Sequence, residues 1–242
     1  MNKEDSLKEK FKQAIISTVK VISDDYLIDS KKKKITEEDI KINNLENIND
    51  KREFIKVRAE ADSEALNRKF SNKDIFEKNM PSNQTCQSLY KTSEKIRYEM
   101  LGSKMLQGIS KNFQNNYSNK LKKIDLTKVK SKDDVNISDA FEIYMLDKFL
   151  KVKLAPEALK ILSFWEKELK ESFDKHLSYL DKNLDNQENY NSKFSEILEN
   201  MEIFDNDEND EKKEAQEDNN QDNSNNNNQD ENNSDSSEEK KE

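Results

Sequence analysis

Ser88-Leu-Tyr-Lys-Thr-Ser-Glu94-Lys-Ile-Arg97-Tyr-Glu99-Met-Leu-Gly102-Ser-Lys-Met-Leu-Gln-Gly108-Ile-Ser-Lys-Asn-Phe113 contains both glycines of the chain. The rest of the stretch is built from helix formers. Each glycine costs about 1 kcal/mol against alanine inside a helix. A helix keeps glycine where another backbone passes close or where the helix breaks. Six residues turn the helix through about 600°, so Gly102 and Gly108 do not share a face. They serve two neighbours, or one neighbour and a break. The apolar residues form three adjoining stripes: Leu89, Ile96, Met100 and Ser103; Tyr90, Arg97, Leu101 and Met105; Gly102, Leu106, Ile109 and Phe113. Apolar residues around most of the turns predict the central helix of a helical domain.

Working outward, residues 6–23 carry Leu7, Phe11, Ala14, Ile15, Thr18 and Ile22 at helical spacing, with Ser6 and Glu9 placed as a capping box. Tyr26-Leu27-Ile28 and Ile40-Lys41-Ile42 flank Lys31–Lys34 and predict a small β-hairpin near residues 26–43. The four lysines read as its solvated connection; no aromatic residue interleaves them to stack on bases. Residues 50–70 predict a second long helix, with Phe54, Val57, Ala61, Ala65 and Leu66 along one side. Pro81 breaks the chain, and Asn83 is placed to cap the central helix. A lysine-rich connection follows over 117–135. Ser138 is placed to cap a helix carrying Phe141, Tyr144 and Phe149, and Pro156 fits the first turn of the next. That helix runs through Leu159, Leu162, Trp165, Leu169 and Phe173 towards Leu184. The last covers roughly 187–203. The fold class is mainly α: about six helices with one small hairpin over residues 1–204, then a tail.

Residues 205–242 hold 15 Asp and Glu against 4 Lys, a net of −11, and nothing more apolar than Ala215. The whole chain is −9, so residues 1–204 carry about +2 (−9 less −11). The acidity belongs to the tail, which cannot bury enough apolar surface to order itself and is expected to be disordered. One cysteine, Cys86, excludes an internal disulfide and a cysteine zinc cluster. It fits a reducing, cytoplasmic location. No N-terminal apolar run follows the first lysines, so no signal peptide is expected, and no apolar run approaches membrane length. A phosphate loop needs glycines at a spacing that 102 and 108 do not supply. The lone His176, on an apolar face, reads as a core-edge residue. No catalytic, cofactor or metal residue is assigned.

Several motifs occur in the order and spacing of one family. They are Glu94-x-x-Arg97-x-Glu99-x-x-Gly102 with Met105-x-x-Gly108-x-x-x-Asn112, Val57-Arg58-Ala59-Glu60-Ala61-Asp62-Ser63-Glu64-Ala65-Leu66-x-Arg68, the opening Phe11 to Ser23, and Ala155-Pro156 through Trp165 to Asp185-Asn186-Gln187. Over roughly residues 6–204 the chain resembles the CobT subunit family of cobaltochelatases. The family usually has Arg-Gly where Arg58-Ala59 stands, and a His-Asp pair near Phe70-Ser71, so no metal role transfers to those positions. The resemblance implies a helical domain, then an acidic linker leading to a von Willebrand A-type metal-site domain; this sequence ends inside the linker. It further implies a non-catalytic subunit of an ATP-dependent cobaltochelatase, which inserts Co²⁺ into hydrogenobyrinic acid a,c-diamide during cobalamin biosynthesis. The expected partners are a CobS-like AAA+ ATPase and a CobN-like large subunit in a hetero-oligomer. ATP, Mg²⁺ and Co²⁺ would be held by those partners, with no nucleic acid and no membrane involved. An alternative of another class is a free-standing adaptor with an acidic tail for another AAA+ motor.

The polar residues placed to dock a partner are Arg58, Asp62, Glu94, Arg97 and Glu99. A structural reading stands beside the docking one. Glu94 and Arg97 lie three apart, as Arg58 and Asp62 lie four apart, so each pair can close on itself or on the neighbouring helix. A buried charge needs such a partner whether or not it has another role.

Overall fold

The computed structural model describes residues 3–24, 47 and 49–201. Among them every regular element is a helix. The predicted hairpin near 26–43 and the acidic tail over 205–242 lie outside the described residues. Helix α1 (Lys3–Ile22) starts before Ser6, so the expected capping box there is not the helix start. It packs Ile15, Ile16 and Val19 against α2 (Lys51–Phe70). Asp50 caps α2, its carboxylate accepting the N–H groups of Arg52 and Glu53 at 2.8 and 3.4 Å. The short α3 (Lys73–Lys78), capped by Asn72, has no counterpart in the sequence reading.

The predicted central helix is two helices. Helix α4 (Gln84–Met105) begins at Asn83, whose side chain accepts the Cys86 N–H at 3.0 Å. It stops at Leu106, where the backbone turns extended (φ −138°, ψ 119°), and α5 (Gln107–Leu121) starts at once. Helix α5 folds back along α4: the hydroxyl of Tyr117, eleven residues past the break, reaches Glu99, seven residues before it. The fold-back buries Ile109, Phe113, Tyr117 and Leu121. Met105 and Leu106, at the bend, are exposed.

Gly102 explains how close α2 lies to α4. A Cβ added there would meet Leu66 Cδ1 at 2.3 Å, and Leu66 has no exposed surface. Gly108 is the other case. No atom lies within 4 Å of an added Cβ, and its φ is not positive. Of the two sequence alternatives, the structure takes one neighbour and a break.

Beyond α5, Lys132 pairs with Glu168 at 2.5 Å and lies 3.9 Å over the Trp165 ring, whose Nε1 donates to the Val135 carbonyl. This pins the lysine-rich connection to the body. Helix α6 (Ile137–Lys148) is capped by Asn136, not by the predicted Ser138; the Asn136 side chain accepts the Ser138 N–H at 2.7 Å. The single helix read over 156–184 is divided into α7 (Pro156–Ser163), α8 (Glu166–Phe173) and α9 (Leu177–Lys182). Pro156 occupies the first turn of α7 as expected, but Leu159, read as core, is 53% exposed. Helix α10 (Gln187–Glu199) closes the described unit. Helix α4 is the central element: α2, α5, α6 and α10 all pack on it. Between α6, α8 and α10 the rings of Phe141, Phe173 and Phe194 meet at centroid distances of 5.3 to 5.9 Å.

Candidate functional site

Successive turns of α4 place Glu94, Arg97 and Glu99 inside the protein, where they organise two polar networks. In the first, Arg97 is 1% and Glu94 4% exposed. The guanidinium donates to both Glu94 oxygens at 2.8 Å. Its remaining N–H groups donate to the carbonyls of Leu184 at 2.8 Å and Phe70 at 2.7 Å. Glu94 also accepts from the Ser71 hydroxyl at 2.5 Å and the Gln187 amide at 3.1 Å. Gln187 in turn accepts the Asn72 N–H at 2.7 Å. One planar, charged fork thus ties α4 to the end of α2 and to both sides of the turn before α10. Bidentate, charge-assisted bonds of this kind are the strong ones.

The second network lies between α2, α4 and α5. Glu99, 1% exposed, accepts from the Ser63 hydroxyl and the Tyr117 hydroxyl, both at 2.7 Å. Lys95 stands 4.0 Å away and 5.7 Å over the Tyr117 ring. Asp62, also 1% exposed, accepts from the Asn112 amide at 2.6 Å, with Arg58 Nε at 3.5 Å. Burial holds both carboxyls above their ordinary range, opposed by Lys95 and the two hydroxyls at Glu99, and by Asn112 and Arg58 at Asp62.

The structure places four of the five residues read as docking candidates inside the helical body. Asp62, Glu94, Arg97 and Glu99 are brought together in the interior and their polar atoms are engaged there, with Glu99 also at the edge of a cleft. Of the five candidates only Arg58, with 34% of its side chain exposed, reaches solvent to any extent. The reading of Glu94 and Arg97 as a self-closing pair describes what they do. Sequence reasoning missed Ser63, Ser71, Tyr117 and Gln187 as their partners. Asn112 and Gln187 stand in quoted motifs, but spacing alone does not say what they meet.

What is accessible lies beside the second network. Ser63, Tyr98, Glu99, Phe113 and Tyr117 line a small cleft of about 150 Å³. It shares Glu60, Lys95, Asn116 and Tyr117 with a larger groove of about 1090 Å³ between α2 and α5. Arg52, Lys56, Lys95, Lys120 and Lys123 line that groove, with Val57 and Tyr117 the buried residues of its wall. Among the described residues no three His, Cys, Asp or Glu side chains come together to hold a metal. None of the described helices is long and apolar enough to cross a membrane.

The family model for cobalamin biosynthesis protein CobT matches residues 5–242. The chain belongs to the CobT family. No solved structure matches it. Membership connects the chain to cobalamin biosynthesis, and the motifs that carried the resemblance now have physical content in a CobT-family protein. Glu94, Arg97, Glu99 and Gly102 are the residues through which α4 meets α2, α5 and the start of α10. Asp62 and Asn112 join the first of the quoted blocks to the second.

Proposed function

We propose that this CobT-family chain is a non-catalytic subunit of an ATP-dependent cobaltochelatase, binding a CobS-like AAA+ ATPase that acts with a CobN-like large subunit. The family match over residues 5–242 carries this reading. The arrangement of the polar residues is in keeping with it. Their charged groups are spent on holding helices together, which suits a rigid body that presents a surface. ATP, Mg²⁺ and Co²⁺ belong to the partners in this reading. Cobalt enters the tetrapyrrole on the large subunit, and this chain supplies contacts to the motor.

Co-expression of the full chain with the CobS-like ATPase of the same organism tests it. The expected result is co-purification as a complex with an ATPase rate different from that of the ATPase alone. Separate elution with an unchanged rate, for a chain helical by circular dichroism, would overturn it.

A further inference from the structure

The groove between α2 and α5 has more cationic than anionic groups, and among the described residues only one of its anionic groups, Glu60, pairs with a cation of the lining. Asp50 is held by the first N–H groups of α2. Glu53 accepts the Asn47 N–H at 3.0 Å. Glu60 stands 3.8 Å from Lys56. On the cationic side, Arg52 and Lys123 are exposed and form no ion pair among the described residues. Lys120 is drawn to Glu142 at 2.5 Å.

Size and lining narrow the occupant. The groove follows α2 from Asp50 to Glu60, a rise of about 15 Å. That length fits a few residues of extended polypeptide, at about 3.3 Å each. The wall is apolar and polar in about equal measure. It offers no exposed aromatic face on which a base could stack. A segment rich in carboxylates matches the excess of cations and, in extended form, the length.

We infer that the groove between α2 and α5 docks an Asp- and Glu-rich polypeptide segment of another chain. Long-range attraction to Arg52, Lys120 and Lys123 steers the segment in, and Lys56 and Lys95 receive its carboxylates along the wall. The contact is largely exposed and is therefore screened by salt. The inference is independent of which ATPase the chain serves, because its probe contains none.

Short fluorescein-labelled poly-L-glutamate, titrated with the full chain and followed by anisotropy, tests it. Saturable binding that weakens with added salt is expected. Arg52→Glu with Lys123→Glu should weaken it at least about ten-fold, since two opposite charges become repulsive. Neither side chain holds an ion pair among the described residues, so circular dichroism should not change. Lys167→Glu with Lys175→Glu, the same charge change elsewhere on the surface, should leave binding within about two-fold, as expected of remote exposed charges. Absence of saturable binding would overturn the inference. So would an equal loss in both variants, or tighter binding of an oligothymidylate that the Arg52 and Lys123 changes abolish.

Discussion

Arg97 is the residue on which the first network depends. Without its guanidinium, Glu94 remains a buried carboxylate, and the Phe70 and Leu184 carbonyls lose a donor. Arg97→Met should lower stability by about 3–5 kcal/mol, the cost of breaking a buried pair. Arg97→Lys should do little better, because an ammonium cannot reproduce the fork. Adding Glu94→Gln to Arg97→Met should restore part of the loss, with urea unfolding showing non-additivity of more than about 1 kcal/mol. Additive effects would mean that the pair is not energetically coupled. The sequence made the pair legible, since residues three apart on a helix meet. It did not reveal Phe70, Ser71, Leu184 and Gln187, because they come from turns that only the packed fold brings to one point.

At the scale of elements, the two glycines should respond in opposite directions. Gly102→Ala places a methyl against Leu66, an overpacking cost of about 1–3 kcal/mol. Better helix propensity returns about 1 kcal/mol of it, leaving net destabilisation. Gly108→Ala meets open space at an ordinary backbone angle and should stabilise by about 0.4–1 kcal/mol. Thermal unfolding of both variants beside the parent decides this. A destabilised Gly108→Ala would show that the joint itself requires glycine. The pattern also shows why α4 and α5 read as one helix. The apolar stripes run on through Leu106 and no proline interrupts them. The helix breaks because folding back buries Ile109, Phe113, Tyr117 and Leu121 against elements distant in sequence. The division of residues 156–184 was likewise hidden, because the apolar positions of short successive helices keep nearly helical spacing.

For the whole molecule, pH acts on stability with two opposite signs. Asp62 and Glu99 are held above their ordinary range by burial, so folding favours their protonated forms. Their contribution is fully present below the usual carboxylate range and is lost as pH rises through their folded values. Asp134, Glu168 and Glu188 are held below the ordinary range, Asp134 by backbone N–H groups and the two glutamates by lysine hydrogen bonds; their contribution is lost as pH falls. Glu99→Gln keeps a group able to bond the Ser63 and Tyr117 hydroxyls and removes one titration of the first kind. As pH rises above the usual carboxylate range the variant should lose less stability than the parent, and below that range the two should converge. Urea midpoints across that range measure it. Parallel curves would mean that Glu99 ionises in the folded protein without penalty.

Local chemistry was enough to determine the helical class, the start of α4 at Asn83, the first turn of α7 at Pro156, the buried face of α2 from Val57 to Leu66 (though not Phe54, which is exposed), and that of the first half of α4. Caps, proline geometry and helical periodicity act within a few residues and leave their mark on adjacent positions. Tertiary packing alone decided where α4 stops, which glycine meets a neighbour, and that Asp62, Glu94, Arg97 and Glu99 face inward. Charged residues on a helix look alike in sequence whether water or a second helix faces them. The difference lies in desolvation and in partners that arrive from far along the chain, and neither is written in local spacing.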